Sequence, residues 1–121
     1  MKANYLMIAL LLVIIFFLTA GNVLGTDFRS GNDLLTICRN FEKETTSVQE
    51  AYETGFCQAY IRGVTDEIPK VSKCIPSGVT YEQIWRVVIK YLQNHPERLH
   101  LYPAFLIREA LEKAFPCKQL Q

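Results

Sequence analysis

The chain has 121 residues, half of them hydrophobic, with 13 basic and 12 acidic residues for a formal charge of +1. That balance argues against a polyanion binder, which carries a basic stripe, and the length fits one domain with a modest core. Four cysteines, Cys38, Cys57, Cys74 and Cys117, read as two disulfides if the protein is exported, each contributing about 2–4 kcal/mol.

The first segment bears on that condition. Lys2 gives a positive start, and Tyr5 to Leu18 is an uncharged apolar run. A spanning helix needs about 20 residues, so this run has the length of a signal-peptide core. Cleavage is expected after Gly25, with Thr26 as the new N-terminus; Ala20 is the other reasonable point, and an uncleaved anchor is the alternative. The expected division is therefore a signal peptide at residues 1–25 and one helical domain at residues 26–121, in an oxidising compartment.

Four helical segments follow, with no convincing strand. The first spans about Asn32 to Phe41: Leu34, Ile37, Cys38 and Phe41 keep helical spacing, and Ser30, Gly31 and Asn32 offer a cap. The second runs from Ser47 to about Ile68, opened by a Ser47/Glu50 capping box and stopped by Pro69. It carries two ridges of period four, Ala51-Gly55-Ala59-Gly63 and Tyr52-Phe56-Tyr60-Val64. Glycine in a helix interior costs up to about 1 kcal/mol relative to alanine. Two on one ridge therefore imply close approach of another helix, within the chain by preference or from a second subunit. At the end of this segment Asp66 and Glu67 oppose the helix dipole, which suggests a frayed, solvated end or an external cation or basic partner.

The third segment is the clearest. Thr80 and Gln83 form a capping box, Val79 and Ile84 a hydrophobic staple. Ile84, Val87, Val88, Tyr91 and Leu92 make the core stripe, and Trp85 and Ile89 widen it beyond one core face, as a subunit or partner contact would. Asn94, His95 and Pro96 end it. The fourth begins at Pro103, buries Ile107, Ala110, Leu111 and Ala114, pairs Glu109 with Lys113 on its outside, and stops at Pro116. The fold expected is all-α, a small four-helix domain stapled by two disulfides.

Sequence alone permits all three cysteine pairings. One geometric consideration favours Cys57 with Cys74: the helix descends roughly 16 Å from Cys57 to Ile68, and an extended return from Pro69 to Cys74 climbs about as far. Cys38 is then left for Cys117.

A search for chemistry finds a binder rather than an enzyme. No thiol is left as a nucleophile, and there is no Gly-x-Ser-x-Gly or His-Glu-x-x-His. No Cys-x-x-Cys or His-x-x-x-His clip exists. The only histidines, His95 and His100, share the connection Asn94 to Tyr102 with Glu97 and Arg98, too thin a ligand set for a metal. Neither a metal nor a cofactor is expected.

The second half carries a specific pattern: Gly78-Val79-Thr80, Gln83, Val87-Val88, Lys90-Tyr91-Leu92, His95-Pro96-Glu97, Leu99-His100, Ala110-Leu111 and Ala114-Phe115-Pro116-Cys117. Upstream stand Gly31-Asn32, Leu34-Leu35, Cys38, Cys57, Tyr60-Ile61, Gly63 and Cys74-Ile75-Pro76. With these residues the chain resembles the Rap/Tai immunity proteins across essentially everything after the signal. The resemblance implies a periplasmic, disulfide-bonded homodimer that neutralises a peptidoglycan amidase delivered by a type VI secretion system, one subunit inserting a loop into the amidase cleft. By resemblance the inserting loop is Asn94 to Tyr102, carrying His95, Glu97, Arg98, His100 and Tyr102, with Trp85 and Arg86 of the adjacent helix beside it. His95, Glu97 and His100 belong to the shared pattern and suit folding of the loop; Arg98 and Tyr102 fall between its positions and suit specificity. The rival readings are a small periplasmic chaperone or stress protein, and an enzyme or carrier with an unrecognised pocket.

Overall fold

The computed structural model describes residues 2–20, 28–44 and 47–117. Helix α1 (Lys2–Ala20) holds the apolar run. Among the described residues no helix is long and apolar enough to cross a membrane. The expected cleavage point after Gly25 lies outside the described residues.

The remaining helices are α2 (Gly31–Ile37), α3 (Val48–Glu67), α4 (Pro69–Ser72), α5 (Tyr81–Asn94) and α6 (Pro103–Ala114), with 3-10 turns at Cys38–Asn40 and Pro96–Arg98. The fold is all-α, as expected. The first expected helix divides into α2 and a 3-10 turn, and α4 occupies part of the stretch from Pro69 to Cys74 that was expected to be extended. The core gathers Leu34, Ile61, Val88, Leu92, Leu106, Ile107 and Leu111, all fully buried. At about 2–5 kcal/mol for truncating a buried leucine to alanine, these side chains dominate the stability.

Local signals set the boundaries. Ser30 caps α2 and Asp33 answers it: the Asp33 N–H donates to Ser30 Oγ and the Ser30 N–H to Asp33 Oδ2. The Ser30 hydroxyl, with backbone N–H groups, holds the Asp33 carboxyl below its usual range despite the opposing effect of desolvation. Gly31 and Asn32, expected in the cap, lie inside the helix. Ser47 Oγ accepts from the Glu50 N–H to start α3. Gly78 takes φ +96° in the turn before α5, a left-handed conformation suited to glycine. Thr80 and Gln83 then satisfy one another as a capping box.

Two sequence expectations are corrected. The Ala51-Gly55-Ala59-Gly63 ridge does not receive a helix of this chain: all four residues are exposed, and a Cβ placed on Gly55 or Gly63 meets nothing within 4 Å. The fully buried row of α3 is instead Cys57, Ile61 and Thr65. It is one stripe on a helix of low overall hydrophobicity, so the small residues stand out more in the sequence than the core row does.

The second correction concerns the disulfides, which join Cys38 to Cys57 and Cys74 to Cys117. After Pro69 the chain does not return extended. It coils into α4, where each residue advances only about 1.5 Å, so Cys74 stays at the foot of α3 and meets the end of α6. Cys38, leaving α2 against α3, lies with its Cα 5.2 Å from that of Cys57. The loops close over sequence separations of 19 and 43, worth about 3 and about 4 kcal/mol in the chain-entropy account. Cys38 and Cys57 are buried, whereas Cys117 is exposed. Thiol reductant under native conditions should therefore open Cys74–Cys117 first. Full reduction should lower the melting temperature by at least ~10 °C, which calorimetry with and without reductant measures.

The negative end of α3 is tied down rather than frayed. Asp66 Oδ1 accepts from the Tyr81 hydroxyl at 2.8 Å and Oδ2 lies 3.7 Å from Arg62. The Arg62 guanidinium sits 4.5 Å from the Tyr81 ring centre. Asp66 thus links the end of α3 to the start of α5.

Candidate functional site

The connection from α5 to α6 is short and heavily braced. His95 closes α5, its N–H donating to the Leu92 carbonyl at 3.3 Å. The 3-10 turn then uses the backbone against itself, Arg98 N–H to His95 O at 3.0 Å and Leu101 N–H to Arg98 O at 2.9 Å. Leu99 is buried as an anchor. Tyr102 is extended and Pro103 opens α6, a position where the missing proline N–H costs nothing.

The start of α2 docks onto the same segment. A helix N-terminus leaves its first N–H groups without intrahelical acceptors. Here the Gly31 N–H donates to Leu101 O and the Asn32 N–H to Leu99 O, both at 3.0 Å, and Asn32 Nδ2 adds a bond to Leu99 O at 3.2 Å. The approach is so close that a Cβ on Gly31 would overlap Leu106 Cδ1 and stand 3.2 Å from the Leu99 Cα.

A polar chain braces the other side. Arg98 Nη2 lies 2.7 Å from Glu109 Oε2, and Glu109 Oε1 lies 3.3 Å from Lys113 Nζ. Lys113 reaches the Tyr91 hydroxyl at 3.5 Å. Tyr91 packs against His95 at 4.3 Å between ring centres, and His95 Nδ1 lies 3.1 Å from Glu97 Oε1. The Arg98–Glu109 pair is close but poorly aligned: Arg98 Nε and Glu109 Oε2 are buried without a hydrogen-bond partner. Desolvation raises the Glu109 carboxyl, but Tyr91, Lys113 and the Arg98 charge together hold it below its usual value. The backbone N–H of Glu97 and the His95 ring likewise lower Glu97.

The Glu109 shift carries a pH dependence. A carboxyl depressed on folding stabilises the native state fully above its unfolded value, near 4.5, and that stability is lost as pH falls through the lower folded value. Glu109→Gln should therefore flatten the acid limb of the stability curve below about pH 4.5. Chemical denaturation of both proteins between about pH 3 and pH 7 measures this; superimposable curves would deny the brace.

The expected site residues separate into two kinds. His95, Arg98 and Glu97 are engaged in the brace, and the Arg98 side chain is only 33% exposed. His100 and Tyr102 face solvent, Tyr102 at 62% exposure. The Tyr60 phenol is held above its usual range, by burial first and by Tyr102 second. Arg86 is exposed but ion-paired to Glu82 at 2.9 Å and Glu42 at 3.0 Å. Trp85 is half-buried, edge-on to Phe41 at 5.6 Å and stacked on Tyr81 at 6.4 Å. Ile89 is buried, so the chain itself covers much of the extra breadth of α5.

Sequence reasoning missed four residues here. Gly31 and Asn32 were read as a cap, and Glu109 as half of an exposed pair. Phe105, 39% exposed on the first turn of α6, lies between two guanidinium groups, Arg98 at 5.9 Å and Arg108 at 5.2 Å. Its spacing from Tyr102, three residues in a helix start, was the available signal. Among the described residues no group of three or more His, Cys, Asp and Glu is placed to hold a metal ion.

Tyr102 is thus an outward aromatic ring on a disulfide-stapled helical scaffold, with the loop beneath it fixed on both sides. No curated protein and no solved structure matches the chain. The model of the Rap1a immunity proteins matches residues 30–117, which takes in the loop, its braces and all four cysteines. The chain belongs to the Rap1a immunity protein family.

Proposed function

We propose that this protein is exported to the periplasm and neutralises a type VI secretion effector, a peptidoglycan amidase, by seating the loop Asn94–Tyr102 in the amidase cleft. The observation that carries this reading is the loop itself: Tyr102 projects from a segment whose backbone is already bonded to α2. A preorganised loop loses little conformational freedom on binding, and an exposed tyrosine with arginine nearby has the composition of an interface hot spot. Arg98 then acts by holding the loop, and Tyr102 with Phe105 by touching the effector. The protein works as an inhibitor, with no chemistry of its own.

Export fits the apolar N-terminal run and the two disulfides. A homodimer fits the solvent-facing small-residue ridge of α3, together with an apolar groove lined by Ala59, Gly63, Val64 and Ala104. The test is purification with the product of an adjacent toxin reading frame. A complex that abolishes peptidoglycan cleavage supports the reading. A folded protein that leaves that enzyme fully active refutes it.

A further inference from the structure

Basic and acidic residues nearly balance over the chain, yet they do not balance around one groove. A cleft of about 640 Å³ runs between the 3-10 turn after α2 and the outer face of α5. Four cations line it, Arg39, Lys43, Arg86 and Lys90, against one carboxylate, Glu42. The two arginines are occupied: Arg39 lies 3.4 Å from Glu53, and Arg86 is held by Glu42 and Glu82. Lys43 and Lys90 are exposed, and neither has a carboxylate within 4 Å among the described residues. Two ammonium groups therefore flank one cleft without compensation, over a floor that includes Phe41 and Ile89.

The chemistry of the unpaired groups selects the occupant. Phosphates are best gripped by the planar fork of arginine, and both forks here are already taken. Compact ammonium charges above an apolar floor suit carboxylates on flexible side chains. The cleft lining also includes Asn94, the residue from which the braced loop departs, so a partner engaged by the loop is brought alongside it. We propose that this groove docks an acidic, Asp- and Glu-bearing segment of the same effector that the loop blocks; the inference rests on the effector-binding reading above.

The test has two arms. In the first, the exported protein is titrated at low salt with a synthetic decapeptide of alternating glutamate and alanine, followed by amide chemical shifts. Saturable shifts at Lys43, Lys90 and Asn94 are expected, screened away by about 0.5 M salt and absent with a glutamine-alanine peptide. Lys43→Gln with Lys90→Gln should abolish them. Shifts elsewhere, persistence in the double variant, or tighter binding of tripolyphosphate would overturn the assignment. In the second arm, Lys43→Glu with Lys90→Glu should weaken binding of the neighbouring toxin by at least ~tenfold, chiefly through slower association. Lys73→Glu, outside the groove, should leave it unchanged. Unchanged toxin affinity in the double variant overturns the docking proposal while the loop reading stands. A wild-type protein that takes up the peptide but does not bind the toxin overturns the effector reading instead.

Discussion

Alanine in place of Gly31 should lower the unfolding free energy by about 1–3 kcal/mol, the range for forcing extra volume into a packed site, and should loosen the loop Asn94–Tyr102 at the same time. The added methyl has no exit. Leu106, whose Cδ1 it would overlap, is fully buried, and the other neighbours are the Cα and Cδ2 of buried Leu99, both at 3.2 Å. Relief requires the start of α2 to move off the loop, which lengthens the bonds from Gly31 to Leu101 and from Asn32 to Leu99. The loop would then pay its ordering cost on binding. Inhibition should weaken more than a stability change elsewhere of equal size would produce. The comparison variant is Ile107→Val, a core change of about 0.5–1.5 kcal/mol away from the clamp. Hydrogen exchange at Leu99 and Leu101 separates the two: both amides should exchange faster in Gly31→Ala than in Ile107→Val. Equal protection would show that the docking of α2 does not order the loop.

What could be read in advance follows from how local each signal is. The caps at Ser47 and Thr80, the stop at Pro69 and the proline start of α6 depend on residues within one turn, and the structure keeps them all. The α5 core stripe was legible because its apolar positions repeat at helical spacing. The disulfide pairing was not, because it turned on whether Pro69 to Cys74 is extended or coiled, and α4 is too short for periodicity to reveal. The buried face of α3 was not legible for a related reason. Small residues can mark either a tight contact or an open surface, and only tertiary placement tells which. At the candidate site the exposed groups were legible from composition. The clamp through Gly31 and the brace through Glu109 were not, since they join residues far apart in sequence, Asn32 and Leu99 among them.

The largest functional effect is expected at Tyr102. On the proposed function, Tyr102→Ala should weaken binding of the effector by roughly 30-fold or more, in line with about 2 kcal/mol for an aromatic hot spot, while stability stays within about 0.5 kcal/mol of wild type as for most surface changes. The side chain is mostly exposed, so its removal opens no cavity in the core. Its backbone stays in place because the extended conformation is set by Pro103 behind it, a preference alanine shares. Tyr102→Phe divides the effect, since it keeps the ring and removes only the hydroxyl. Near wild-type inhibition in the phenylalanine variant would assign the contact to the ring, and a lower Tyr60 pKa would accompany it, because Tyr102 contributes to holding that phenol up. Phe105→Ala should produce a smaller loss, given its lower exposure and its place between Arg98 and Arg108. Binding measured by calorimetry alongside thermal melts distinguishes these cases. A Tyr102→Ala protein that melts normally and still binds the effector at wild-type affinity would move the proposed binding surface off this loop altogether.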